Sequence, residues 1–545
     1  MAAEVTRACS IIGKTRKNKG KSRQKVPNER QLLCEKPRIL AIISGCRQFR
    51  FIFEGIMNIL LINPPGENVV AEFQDSKGKG FLEVDDFGKF PPLGALYVLS
   101  YAEKYLPDHH FYFLDCVAEK ISHADLPERL AEIAPDIIGV TSFTISLMDA
   151  IKVAEAARDV VPGAHLCLGG HHATDFPLEA AKLDEFDSIV VGEGEQAFAS
   201  LIENIATGKE ITGIAGVYTR DTIEAHARLN VRDPRFRGSM PVPPAYIEDI
   251  DILPPPDRHH VAHINYHSVV GMDARLATMI TSRGCPCKCT FCNVPCKQYR
   301  PRNLGLVMDE IEECRRMGYR EFHFYDDLFN ITSRRLEEFC LALKERNLSV
   351  VWDFRGRVTG VTRESLALAK SLGLRLIFFG VETGSDEGLR LLNKGCSIAQ
   401  IRQAFQWCRE LGIKTVADFM IGLPHEKSVD DVRENIDFLI SLRPDYAQIG
   451  IMNLYPHTEI YSQAVEKGLV ELNRWSEWAK NPTRDFRVEH WTEFLSEEEL
   501  VRLHRESYRR FYFRLSYIMR SIVGLRSFHE FKSKVTGALK LLILQ

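Results

Sequence analysis

A chain of 545 residues, 45% hydrophobic and 26% charged, has the length and apolar content for several packed cores, which excludes a low-complexity or wholly disordered polypeptide. Its formal net charge of -3 gives no bulk attraction for nucleic acid, and no apolar run approaches the roughly 18–20 residues of a membrane span. The charge is unevenly placed, since residues 1–56 hold thirteen Lys and Arg against four Asp and Glu.

That first segment includes GKTRKNKGKSRQKVPNERQ (13–31), has almost no apolar periodicity, and is expected to be a disordered basic tail. A nucleic-acid arm, a targeting segment, or a start codon placed too early with Met57 as the true start are the alternatives. Residues 57–220 then alternate short apolar runs with helical patterns. The strand candidates are 58–63, 110–115, 136–143, 165–168 and 187–191, and between them 93–106, 126–134, 147–161 and 195–206 repeat apolar residues at helical spacing. Alternating strand and helix predicts an α/β domain with a doubly wound parallel sheet, whose ligands sit in the loops after the strands. No G-x-G-x-x-G follows the first strand, so a dinucleotide site is not expected.

Residues 221–275 form a proline-rich connector. Over 276–470 a second series of six strands is expected at 276–282, 321–326, 349–354, 375–380, 415–421 and 446–454, separated by helices such as 304–318 and 428–442. Six such units suggest a partial barrel, with its working end at the strand C-termini. Residues 471–545 are expected to be a helical extension. Its last part, 502–545, carries ten Lys and Arg and two Glu among aromatic and aliphatic residues. Its helices either close the open side of the barrel, the reading its aromatic content favours, or lie on an anionic membrane surface.

Five of the fourteen cysteines fall between Cys285 and Cys296, just after the first barrel strand. The N-terminus carries no secretory signal, and in a reducing, cytoplasmic compartment such crowding marks a metal site rather than disulfides. Within the group, Cys285-x3-Cys289-x2-Cys292 can hold three irons of a [4Fe–4S] cluster and leave one open. A zinc site drawing on Cys287 and Cys296 is the alternative, although zinc usually takes two separated knuckles.

The CxxxCxxC loop, with Phe291 before its third cysteine, resembles that of the radical S-adenosylmethionine (SAM) enzymes. The resemblance continues through FYDDLF (324–329), FFGVETGSDEGLRLLNKG (378–395), FMIGLPHEKSVDD (419–431) and LYPHTEIYSQAVEKGLV (454–470), where His457 stands in place of the commoner glycine. It implies that Cys285, Cys289 and Cys292 are the metal ligands, with Cys287 and Cys296 as spectators. It also implies that Phe291, Asp326, Asp327 and Glu382 contact SAM, whose amino and carboxylate groups chelate the open iron and whose reductive cleavage yields a 5′-deoxyadenosyl radical.

The preceding domain resembles the cobalamin-binding domain of the B12-dependent radical subgroup, on NPPG (63–66), KFPPLGALYVLSYA (89–102), FLDCVAEK (113–120), TSFT (141–144), LGGHHAT (168–174) and VVGEGE (190–195). This implies cobalamin contacts at Asp115, Ser142, Thr144, Gly169, Gly170, Gly192 and Gly194. Val117 stands where related cobalamin proteins place a cobalt-ligating histidine, and the resemblance to the radical subgroup implies cobalamin with its own base displaced and no protein imidazole below the cobalt. His171 and His172 are read as tail contacts or surface residues. The expected function is methylation of an unactivated carbon of a small organic substrate, with a flavodoxin or ferredoxin as electron donor and no nucleic-acid partner. A tetrapyrrole-type ring-closing enzyme and a non-catalytic cluster and cobalamin sensor are the alternatives.

Overall fold

Runs such as NILLIN (58–63) are short, β-branched and apolar on both faces, the pattern of a strand covered by helices above and below. In the computed structural model, which describes residues 55–70, 88–227, 242, 244–268, 270–271 and 275–523, that run is an interior strand of the first of two six-stranded sheets. Nearly all of the expected basic tail, and the chain beyond Val523, lie outside the described residues.

The first sheet comprises β1 (Asn58–Asn63), β2 (His110–Asp115), β3 (Ile137–Thr141), β4 (His165–Gly169), β5 (Ser188–Val190) and β6 (Val217–Tyr218), in the order β2-β1-β3-β4-β5-β6. The first five strands are parallel, as expected, and β6 is antiparallel to β5. The doubly wound parallel sheet is as expected, with one added edge: Val217 and Tyr218, two residues with no periodicity of their own, are brought back beside β5 after the chain has passed through the helix Gly194–Ala206. Helices α1 (Leu93–Tyr105) and α3 (Gly194–Ala206) cover one face, with Ile59, Leu61 and Phe113 packed between. Helix α2 (Leu147–Val160) covers the other, over Leu60, Ile62 and Ile138.

The second sheet comprises β7 (Leu276–Met279), β8 (Glu321–Phe324), β9 (Val351–Gly356), β10 (Leu374–Glu382), β11 (Lys414–Ile421) and β12 (Tyr446–Ile451). All are parallel in the order β12-β11-β10-β9-β8-β7, so the sheet is a partial barrel that does not close on itself. Strand alternation divides its residues. Phe322, Phe324, Trp352, Phe354 and Phe379 point outward into the largest core, against the helices. Thr278, Tyr325, Arg355, Phe378, Asp418 and Gln448 line the interior.

The open edge of β12 is covered by α4 (Glu497–Tyr512), which is followed by α5 (Leu515–Val523). His504 Nε2 lies 2.8 Å from Ile449 O, and Ile449 N–H donates to Tyr508 Oη at 3.1 Å. Ala447 N–H donates to Tyr512 Oη at 3.0 Å, whose hydroxyl donates to Ala447 O at 2.8 Å. Side chains therefore stand in for the missing neighbour strand.

Candidate active site

The loop TSRGCPCKCTFCN leaves the C-terminal end of β7 and is pinned at base and tip. Cys285 N–H donates to Cys296 O at 3.1 Å, Thr290 N–H to Leu392 O at 3.1 Å, and Asn393 Nδ2 to Lys288 O at 2.8 Å. Cys285, Cys289 and Cys296 are buried, while Cys287 and Cys292 are half-buried. Arg357 Nη1 points at Cys289 Sγ from 3.6 Å, and the Cys296 thiol is turned to Gln298 O at 3.7 Å. The thiols of Cys285 and Cys287 share a hydrogen bond, which raises the first and lowers the second, with Arg357, Lys394 and Lys297 adding to the lowering. Cys287 is thus in the thiol cluster and not apart from it. Among the described residues, ligand groups tight enough for one ion occur at Glu103, Asp257 and His260 and at Glu321, His323 and Asp353, and not among the cysteines. Four thiolates on one zinc would crowd together, whereas an iron–sulfur cube spreads its ligands, so the donor set fits a cluster.

Around this loop the expected SAM residues separate. Glu382, at the end of β10, has a left-handed φ of 67° and meets Lys394 Nζ at 2.5 Å; Lys394 in turn lies over the Phe291 ring, 5.8 Å from its centroid. Gly380 admits this pair, because a Cβ there would sit 2.5 Å from Glu382 Oε1 and 2.7 Å from Lys394 Nζ. Burial works against the Lys394 charge, yet Glu382 holds its pKa above the ordinary value. Asp327 accepts from Gly284 N–H at 2.8 Å and lines the cavity. Asp326 does not line it, which corrects that expectation. Its carboxylate is buried and accepts from Thr281 N–H and Oγ1 and from Ser282 Oγ, so it fastens the loop entrance, and burial raises its pKa to about 6.

The first-sheet loops show a similar division. Asp115, capping the turn after β2, accepts from Asn63 Nδ2 at 2.8 Å and from Tyr266 of the connector at 2.7 Å. Ser142 and Thr144 are corrected: neither lines the cavity, Ser142 Oγ donates to Phe143 O at 2.7 Å, and Thr144 Oγ1 lies 3.3 Å from His172 Nδ1. Of the four glycines only Gly169 has open space where a Cβ would stand. Gly170 and Gly192, with φ of 93° and 95°, would clash with Ser142 and Ala245 backbone, and Gly194 packs against Val98. These three are needed for chain packing, and all four glycines line the cavity. His172 is fully buried and pushed down to about 3 by that burial. The ring of His171 is exposed, stacks on Phe143 at 4.9 Å and lines the cavity. Val117 lines the same cavity.

Sequence reasoning missed two arrangements. The acids of VVGEGE join the two sheets: Arg283 reaches Glu195 at 2.6 Å and Glu193 at 3.1 Å, and Arg300 meets Glu193 at 2.8 Å. Next to them Glu310 receives Arg258 at 2.8 Å and Arg302 at 2.7 Å. The signal was charge complementarity, two acids on one loop against arginines flanking the cysteines. The second arrangement is Arg355 and Asp418 inside the barrel, lone residues on different strands, neither of them within a stretch that carries the family resemblance. All these elements open on one cavity of about 2300 Å³, lined by the first-sheet loops, the cysteine loop and the barrel interior.

Comparison with known proteins agrees with this geometry. Residues 279–439 match the Radical SAM superfamily and residues 86–202 the B12 binding domain. The chain is similar to the uncharacterized methyltransferase PH0819 of Pyrococcus horikoshii, 26% identical over 491 residues that cover 89% of this chain and 98% of that protein. It is 30% identical over 392 residues to the anaerobic magnesium-protoporphyrin IX monomethyl ester cyclase of Cereibacter sphaeroides, covering 69% of this chain and 60% of that enzyme. Its fold is that of the cobalamin-dependent S-adenosylmethionine radical enzyme OxsB, with a TM-score of 0.62 and 16% identity over 90% of this chain and 72% of that one. The chain belongs to the cobalamin-dependent radical SAM enzymes, whose cofactors are a [4Fe–4S] cluster, SAM and cobalamin.

Proposed function

We propose that this enzyme transfers a methyl group to an unactivated carbon of a small organic substrate. The observation that carries the reading is the single cavity shared by the cysteine loop, the first-sheet loops and the barrel interior, with a methyltransferase relative aligned over almost its whole length. When bound, SAM at the reduced cluster supplies a radical able to take hydrogen from carbon, and cobalamin supplies the methyl group. The chain's part is to hold and enclose. Cys285, Cys289 and Cys292 hold the cluster, Asp327, Glu382 and Phe291 border the SAM site, and Asp115, Gly169 and Val117 border cobalamin. Arg357 steadies the Cys289 thiolate.

Electrons come from a flavodoxin or ferredoxin, and the enzyme works in the cytoplasm. No helix among the described residues is long and apolar enough to cross a membrane. Peripheral contact through α5 is part of the proposal, because Leu515 and Met519 are exposed on it beside Arg520. Salt-sensitive sedimentation with anionic liposomes is expected, and its absence removes that contact.

The test of the central reading is anaerobic turnover of the reconstituted enzyme on a metabolite extract with SAM labelled in its methyl group. The expected result is 5′-deoxyadenosine together with a product bearing the labelled methyl. The cyclase relative supports a second reading, ring closure, which would give 5′-deoxyadenosine and a product without added methyl. A protein that yields no 5′-deoxyadenosine is a sensor and not an enzyme.

A further inference from the structure

Inside the barrel one pair of charges has no structural reason to be there. Arg355 on β9 and Asp418 on β11 face each other across β10, with Arg355 Nη1 3.7 Å from Asp418 Oδ2, beyond a good hydrogen bond. The guanidinium lies over Phe378 at 4.6 Å and Tyr325 at 5.3 Å from the ring centroids. Its side chain is 40% accessible although it is enclosed by the barrel, so the exposure is to the cavity. Asp418 Oδ1 is buried with no hydrogen-bond partner, and burial raises the Asp418 pKa to about 6. Arg302, by contrast, is closely held by Tyr97 Oη, Ile280 O and Glu310. A loosely matched pair with an unpartnered buried oxygen costs stability unless something completes it.

We infer that Arg355 and Asp418 anchor the substrate by an amide-type group, the Arg355 fork donating to its carbonyl oxygen and its N–H donating to the Asp418 carboxylate. Charge decides the class. A carboxylate would suit Arg355 and be repelled by Asp418; an ammonium would suit Asp418 and be repelled by Arg355. A neutral group with acceptor and donor side by side satisfies both at once. Stacking on Phe378 fixes the guanidinium plane, and with one hydrogen bond shared with Tyr325 the fork keeps further N–H groups for such in-plane bonds. Phe378, Tyr325 and Tyr446 line the same cavity and suit an apolar or flat body on that group. The inference rests on the reading of the barrel interior as the reaction chamber.

The experiment uses the cluster- and cobalamin-loaded enzyme with benzamide, benzoate and benzylamine as probes, their binding followed by saturation-transfer NMR. Benzamide is expected to bind saturably and more tightly than both charged probes. Arg355→Gln is expected to weaken benzamide and benzoate about tenfold, the loss of a hydrogen bond to a charged group. Asp418→Asn is expected to weaken benzamide while tightening benzoate, because the repelling carboxylate is gone. Absence of saturable benzamide binding, a charged probe bound as tightly, or equal binding to folded variants would overturn the inference. The wild-type ranking is decisive by itself, so a variant that fails to fold does not shield the idea. Labelled-methyl turnover is measured separately, so a failure of methyl transfer and a failure of the amide anchor are read on different instruments.

Discussion

At the residue scale the thiols make the sharpest statement. Alanine at Cys285, Cys289 or Cys292 is expected to abolish iron loading and the visible absorbance of the reconstituted cluster. Cys296→Ala is expected to retain both, because that thiol is turned to Gln298 O. Cys287→Ala is also expected to retain the cluster, and loss of iron there would move the ligand set. A second expectation concerns cobalt. With Val117 in the turn after Asp115 and His172 sealed beneath the loops, the Co(II) form should show no nitrogen splitting in its electron paramagnetic resonance spectrum. A split signal would mean an axial nitrogen, either from an imidazole such as His171 or from the cofactor's own base. The cysteine loop was legible in the sequence because its donors are neighbours in the chain, with spacing that encodes ligand geometry. The Arg355 and Asp418 pair was not, since two unremarkable residues on separate strands meet only once the barrel curves. The substitution at His457 was visible as a departure, and the backbone explains it: φ there is 61°, a region that favours glycine.

At the scale of elements, the pairing of α4 with β12 follows from two pitches. Residues four apart on a helix rise about 6 Å, and residues two apart on a strand about 6.6 Å. His504, Tyr508 and Tyr512 thus reach the outward backbone groups of Ile449 and Ala447 without bending either element. Tyr512→Phe removes both bonds to Ala447 and is expected to cost about 1–3 kcal/mol in chemical denaturation. Faster hydrogen exchange at the Ala447 amide should accompany it, and unchanged exchange would mean the hydroxyl does not hold the edge. The sequence placed most of the parallel strands to within a residue or two, since each has its own apolar run. It was silent on β6 and on which side chains cover the open edge, which depend on partners distant in the chain, although the aromatic content of the C-terminal helices pointed to that role.

At the scale of the whole molecule, the two sheets are joined by buried charge. Burial works against ionised Glu310, but Arg258 and Arg302 outweigh it and hold its pKa below 4.5; Glu193 is held down in the same way by Arg300 and Arg283. A depressed carboxylate contributes its stability above the unfolded pKa, and loses it as pH falls through the folded value. The melting temperature is therefore expected to drop steeply on the acid side. Glu310→Gln is expected to flatten that limb and to cost roughly 3–5 kcal/mol at neutral pH, because it leaves two buried arginines short of a partner. A variant with an unaltered acid limb would place the transition elsewhere. The same joints bear on modularity. Chains with two named domains invite dissection, and the barrel with its cysteine loop looks like a module to express alone. Cutting between the sheets would strip Arg283 and Arg300 of Glu193 and Glu195, leaving two unpaired guanidiniums on the segment that carries the thiols. The isolated barrel is thus expected to be insoluble or iron-free for want of its neighbour's carboxylates. Domain-swapped chimaeras of this family should keep the loop acids and the arginines flanking the cysteines from the same parent.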